Sequence, residues 1–423
     1  NINFNGKNIS VIGEDRETTI IDGGGNGRVI TILNDILANQ FISELTISNG
    51  WANGNGISGY GGGICVDNSN LELNNVKIIN CGVSDKGGAI WVGGSTLNIV
   101  NSQLLYNYAT QYNQFGGAIG GGGGNLSIDN SIIAYNISEV AAGIYYSNGN
   151  LEISNSNIIF NENNGCHAGH QQACSSGLHT VNTLGSINNS IIYNPHANLS
   201  EISLVDSENL LIKYSNIRGG FSGEGNIDAN PLFTNPDNGD FTLQSSSPCI
   251  DAGDPESELD PDGTRADMGA YPTYQNSIDL HAGANLISFY VFPDDNSVTN
   301  MLSSLGDNAT GIIGEGVAAS KINGNWSGSL TTIDETSGYW VKISEADELR
   351  IFGEPVIGSD VEYELHSGAN LLSYPYEDSN SIESALTEDA QANLTGIIGE
   401  GVAATQINGM WVGSLTAFEG NKG

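Results

Sequence analysis

GGAIWVGGSTLNIVNSQLLYN, residues 87–107, returns 29 positions later as GGAIGGGGGNLSIDNSIIAYN, residues 116–136. Both stretches end on an asparagine behind a short apolar run. The same ending recurs at Asn49, Asn80, Asn107, Asn136, Asn161 and Asn194, in steps of 31, 27, 29, 25 and 33 residues. Two further registers move with it. One is GGGI ending at Ile64, GGAI at Ile90 and Ile119, and AAGI at Ile144; the other is Leu71, Leu97, Leu126 and Leu151. A period of this size marks a stack of like units. Each unit reads as about three short β segments separated by Gly, Asn, Asp and Ser, without helical periodicity. The pattern predicts an all-β parallel β-helix with the asparagines stacked at one corner, each amide bonding the next.

These repeats resemble the right-handed parallel β-helix of the pectate-lyase-like superfamily, over residues 1–273. The opening NINFNGKNISVIGEDRETTIIDG and the closing SPCIDAGDP…DPDGTRADMGAY, residues 247–271, are similar to the first coils and the end of that domain in secreted bacterial proteins. The resemblance implies a fold and a secreted or cell-surface location. It implies no activity, because that superfamily holds lyases, hydrolases, adhesins and inert surface proteins.

A second repeat system follows. LHAGANLISF at 280–289 returns as LHSGANLLSY at 365–374, TGIIGEGVAAS at 310–320 as TGIIGEGVAAT at 395–405, and Trp326 as Trp411, each at an offset of 85. Residues 275–359 and 360–423 therefore read as two small all-β modules, the second apparently truncated. They resemble tandem modules of multidomain marine bacterial surface proteins. Asn1 opens within an expected strand, and Gly423 aligns with Gly338 just before Tyr339-Trp340-Val341, so the chain reads as a piece of a longer precursor.

With 48 Asp+Glu against 12 Lys+Arg, the formal charge is −36. That balance disfavours nucleic acid and anionic membranes, and polyanionic sugars unless Ca²⁺ bridges them. At 39% hydrophobic residues the chain can build a core. No 18-residue apolar run appears, so no membrane insertion is expected. Cys166 and Cys174 bracket CHAGHQQAC, which reads as a disulfide-closed loop. The rival reading is a metal tract with His167, His170 and His179, whose spacing fits no standard zinc signature. Cys65, Cys81 and Cys249 are left unpaired by the pattern, Cys249 as a small core residue.

No catalytic residue is assigned. The cations Lys7, Arg16, Arg28, Lys77, Lys86, Lys213, Arg218 and Arg265 are scattered, and neither lyase-type nor polygalacturonase-type signatures occur. Carboxylates pair at Asp251 with Asp254 and at Asp260 with Asp262, where Asx-turns compete with a calcium site. The cofactor expectation is none beyond calcium at Asp260 and Asp262. Strict alternation back from an inward Asn places Leu104, Tyr106, Ile133, Tyr135, Ile158, Phe160, Ile191 and Tyr193 on an outward stripe, available to sugars, a partner or the C-terminal modules. The preferred function is a non-catalytic extracellular structural or adhesive protein, capable of self-association or of holding a polysaccharide or cell-surface component. The alternatives are a polysaccharide lyase or glycoside hydrolase, and a carbohydrate-binding array using Trp326, Trp340 and Trp411.

Overall fold

The computed structural model describes residues 1–109, 115–165, 174–195, 199–357 and 361–423. The chain forms two compact units, Asn1–Pro272 and Thr273–Gly423. Among the described residues no helix is long and apolar enough to cross a membrane.

The first unit is a parallel β-helix. One coil contains the strands Ile90–Gly93, Thr96–Val100, Gln103–Leu105 and Tyr108–Ala109. Each strand pairs in parallel with its counterpart in the coils on either side, as Ile119 pairs with both Ile90 and Ile144. The coil thus has four strand segments, because a two-residue strand follows the asparagine corner and forms its own five-stranded sheet. Inward positions form apolar columns. Ile47, Ile78, Leu104, Ile133, Ile158, Ile192 and Ile217 make one, and all are buried. Burying each such side chain contributes about 1.5–3 kcal/mol. These columns hold the stack together, with backbone bonds satisfied between coils.

Between strands the chain turns through left-handed residues. Tyr106, Tyr135 and Phe160 adopt φ of 56°, 59° and 53° at one corner, Asn101, Asn130 and Asn155 adopt 52°, 46° and 43° at another. Asparagine tolerates this region because its short side chain bonds locally.

Residues 231–271 close the unit from outside. Phe233, Phe241, Leu243, Cys249, Met268 and Ala270 bury themselves against Leu105, Ile132, Ala134, Ile159 and Ile191 on the outer face of the helix. Tyr271 accepts from Gln103 Nε2 at 2.9 Å.

The second unit is antiparallel. In its first repeat, strands Gly283–Ile287, Tyr339–Ile343, Ala309–Ile313, Ala318–Ile322 and Asn325–Gly328 make one sheet in that order. A ribbon of Gln275–Leu280 with Asp347–Phe352 packs beside it. Phe289, Ile312, Tyr339 and Val341 centre the core. The second repeat keeps the meander, as Gly396–Gly399, Val402–Ile407 and Met410–Gly413, and a Ser-capped helical turn, Ile382–Ala385. Among the described residues of 360–423 no strand matches the ribbon, and Ile398, Ile407, Met410 and Val412 are exposed on the meander.

Candidate functional site

The asparagine corner is a continuous hydrogen-bonded ladder. Asn107 N–H and Nδ2 donate to Asn136 Oδ1 at 2.9 and 3.0 Å. Asn136 repeats this toward Asn161 at 3.0 and 2.9 Å, and Asn161 toward Asn194 at 2.6 and 3.2 Å. Each Nδ2 also donates to a carbonyl of the preceding coil, as Asn136 does to Leu104 O at 2.9 Å.

Asn49 and Asn80 are not in the ladder, which corrects the sequence reading. They are exposed and occupy the left-handed position, at φ 53° and 56°, that Tyr106 fills in the next coil. The inward position belongs to the following residue. Cys81 N–H donates to Asn107 Oδ1 at 2.9 Å, and Gly50 N–H donates to Cys81 Sγ at 3.3 Å. A thiol sulfur thus continues the row, its pKa pushed up to about 12 by burial.

The far end is closed by Glu201. Its carboxylate accepts from Asn194 N–H at 3.1 Å, from Asn194 Nδ2 at 2.6 Å and from Arg218 Nη1 at 3.3 Å. Burial holds its pKa above the ordinary range against those bonds. In the preceding coil this register is Gly177, where a Cβ would come within 3.2 Å of Asn194 Nδ2. Glu201 and Arg218 also line a cleft of about 440 Å³ with Leu199, Ser200 and Phe221. The Glu201 side chain is 1% exposed, so the carboxylate serves the ladder rather than the cleft.

The outward stripe is half corrected. Leu104, Ile133 and Ile158 are core, whereas the aromatic rings do face out. The left-handed residue between strand and Asn resets the alternation, so the residue three before the Asn turns inward. The last coil reaches Asn194 one residue sooner. Ile191 and Tyr193 accordingly face outward, and Ile192 takes the core place. Tyr106, Tyr135 and Phe160 stack in a row, with centroids 5.0 and 5.4 Å apart and planes within 6° and 12°. Their partner is the same unit: Phe241 lies 6.1 Å from Tyr135, Phe233 lies 6.0 Å from Phe160, and Tyr135 OH donates to Pro236 O at 2.7 Å.

A second aromatic face lies elsewhere, and sequence reasoning missed it. Cys65, Trp91, Gly120, Tyr145, His179 and Ser203 are successive outward positions of one sheet. Beside them Tyr60, Lys86 and Phe115 stack as parallel bridges in the turns. Gly120 leaves a gap that only a missing Cβ allows, since a side chain there would meet Gly87 N at 2.8 Å. Tyr60 lies 4.2 Å from Trp91, and Phe115 lies 4.6 Å from Tyr145. Lys86 Nζ sits 5.9, 6.0 and 5.2 Å from the Tyr60, Trp91 and Phe115 ring centres, within cation–π range. Arg28 donates to the carbonyls of Ile57, Tyr60 and Gly61, which fixes the turn carrying Tyr60. Tyr60, Lys86, Trp91, Phe115 and Tyr145 are all half-buried. The signal was available: Tyr60, Lys86, Trp91 and Phe115 stand immediately before or after the GGGI and GGAI motifs, and Tyr145 immediately after AAGI.

In the closing turn, Asp260 Oδ2 accepts from Asp267 N–H at 2.8 Å, and Asp262 Oδ1 accepts from Thr264 N–H and Oγ1 at 3.0 and 2.7 Å. Burial pushes Asp260 up to about 6. These bonds build a turn. Among the described residues no group of three or more His, Cys, Asp or Glu is arranged to hold a metal. Cys166, His167 and His170 lie outside the described residues, and with them the proposed pairing of Cys166 to Cys174. Cys65, Cys81 and Cys249 are free and buried. In the second unit, Trp326 and Trp411 hold equivalent places opposite Lys321 and Gln406, and Trp326 packs against the core of its repeat.

No family model matches the chain, and no curated protein sequence matches it. Among solved structures, the crystal structure of pectate lyase Pel9A is similar at 14% identity, over 63% of this chain and 78% of that one, with a TM-score of 0.28.

Proposed function

We propose that the protein is a non-catalytic extracellular binding or adhesive protein whose contact face is the aromatic surface around Lys86. The observation that carries this reading is the half-exposed set Tyr60, Trp91, Phe115 and Tyr145 spread over successive coils, with one cation among the rings. Flat rings at coil spacing, about 4.8 Å, suit the faces of successive sugar units. A net charge of −36 favours neutral glycans over polyanions.

What the other cations do supports the absence of chemistry. Arg16 and Lys77 pair with Glu17, and Lys213 pairs with Glu224. Arg218 neutralises Glu201, and Arg265 donates to Gly253 O. Arg28 is spent on backbone carbonyls. A β-helix enzyme needs such groups, or a metal, aimed at developing negative charge. The test is retention on a panel of immobilised neutral and acidic glycans, run beside an assay for unsaturated products and new reducing ends. Binding to a neutral glycan, weakened roughly tenfold by Trp91→Ala or Tyr145→Ala, is the expected result. Turnover of any polysaccharide, lost on changing one carboxylate or cation, would overturn the proposal in favour of a lyase or hydrolase.

A further inference from the structure

Several contacts between the two repeats of the second unit come in pairs, each repeated at the offset of 85. Glu400, from the Gly-Glu-Gly turn of the second repeat, accepts from Leu286 N–H at 2.8 Å and meets His281 Nε2 at 2.6 Å. Glu315, from the same turn of the first repeat, accepts from Leu371 N–H at 2.7 Å and meets His366 Nε2. The backbone follows suit. Ile287 bridges Lys422 as Leu372 bridges Ser337, and Ser288 N–H reaches Asn421 O as Ser373 N–H reaches Thr336 O. Each of these contacts from the first repeat to the second is matched by one in the reverse direction. That is the signature of an isologous, two-fold interface, here formed by two halves of one chain.

The receptor half is prepared within each repeat. Asn285 Oδ1 accepts from His281 N–H and its Nδ2 donates to His281 O; Asn370 does the same for His366. The imidazole Nδ1 faces a carbonyl, Ala282 O at 2.9 Å or Ser367 O at 3.1 Å. With a carbonyl on one ring nitrogen and a carboxylate on the other, both nitrogens must donate, so the geometry selects the imidazolium. This holds His281 and His366 above the ordinary histidine value and Glu315 below the ordinary glutamate value. Lys422 is the remaining charged group acting on the His281–Glu400 pair.

We infer that the histidine of LH(A/S)GANL and the glutamate of IIGEG form a reciprocal docking code, and that the partner each module is built to take is a second copy of itself. Both codes are filled in the paired repeats, so the modules associate two at a time and the pair is closed. This surface belongs to the second unit and does not depend on the glycan-binding reading of the first.

The experiment uses the full chain. In the unaltered protein, NMR titration should find both imidazoles above the ordinary histidine midpoint. E400Q should lower the midpoint of His281 and leave His366 alone, and E315Q should do the reverse. If each variant moves the histidine of its own repeat, or neither histidine, the inference falls. A second variant, H366Q/E400Q, leaves the first repeat with both halves of the code and no partner in its own chain. Sedimentation velocity should then show a concentration-dependent dimer that H281Q/E315Q, added to the same chain, abolishes. A variant that stays monomeric wherever the unaltered chain does would overturn the claim that a second copy is the partner.

Discussion

Glu201 receives both bonds that end the asparagine row, from Asn194 N–H at 3.1 Å and Asn194 Nδ2 at 2.6 Å. Removing it leaves the two buried Asn194 donors without their acceptor and takes the carboxylate away from Arg218. Glu201→Ala should cost about 3 kcal/mol in urea unfolding, and Glu201→Gln, which keeps an acceptor, about 1 kcal/mol. The raised pKa gives a sign. The folded state holds its proton more tightly than the unfolded one, so this residue's contribution to stability falls as pH rises through the folded value. Glu201→Gln should remove that fall.

Asn80 and Asn136 carry the same letter in the same repeat and should respond differently. Asn136→Ala deletes the bonds that Oδ1 accepts from Asn107 N–H and Nδ2 and those that Nδ2 donates to Leu104 O and Asn161 Oδ1, all in a buried row, and should cost about 3 kcal/mol. Asn80→Gly keeps the left-handed turn on an exposed corner and should change stability by less than about 0.5 kcal/mol. Equal losses in the two variants would place Asn80 in the ladder after all.

Tyr135 is clamped between Tyr106, Phe160 and Phe241, with its hydroxyl on Pro236 O. Tyr135→Ser should destabilise the β-helix by about 3 kcal/mol and loosen residues 231–271. Tyr106 is 45% exposed at the end of the stack, so Tyr106→Ser should cost about 1 kcal/mol. Hydrogen exchange across 231–271 distinguishes the two.

Asp260 titrates near 6 in the folded chain against 3.8 for the free group, chiefly through burial. Between those values the native state binds the extra proton, so stability falls as pH rises across about 4 to 6. Asp260→Asn should flatten this arm of a denaturant-midpoint against pH curve. A calcium ion at Asp260 and Asp262 would favour the charged carboxylates and reverse the slope, which a Tm that rises with added calcium would reveal.

The coiled fold was legible because a repeat announces itself at the level of whole motifs. The GGAI and LNI registers pair in the structure residue for residue, Ile90 with Ile119 and Leu97 with Leu126. Side-chain direction was less legible. A left-handed residue such as Tyr106 shifts the alternation by one, and nothing in the letters LLYN separates that turn from a continuing strand. The same one-residue step disguised Cys81 as something other than a ladder member and promoted Asn49 and Asn80 into it. A serine row was in plain view. Asn101-Ser102, Asn130-Ser131, Asn155-Ser156 and Asn189-Ser190 each precede the apolar run. Ser102 N–H donates to Ser131 Oγ at 3.0 Å and Ser131 N–H to Ser156 Oγ at 3.1 Å, coil after coil. The face around Lys86 escaped because it joins turn and strand residues that are neighbours only across coils.

The amide row has a sense of direction. Within the row, every member donates to its counterpart in the coil that follows and accepts from its counterpart in the coil before, so these links point one way along the axis. Such a row tolerates only two kinds of terminus: a bare donor at one end, here Gly50, and an acceptor with nothing to donate at the other, here Glu201. The ends are therefore specialised while the interior coils are interchangeable. A coil inserted between Asn107 and Asn194 with its own Asn at the corner meets the same neighbours on both sides. The domain can change length by duplication in its middle without redesigning either end.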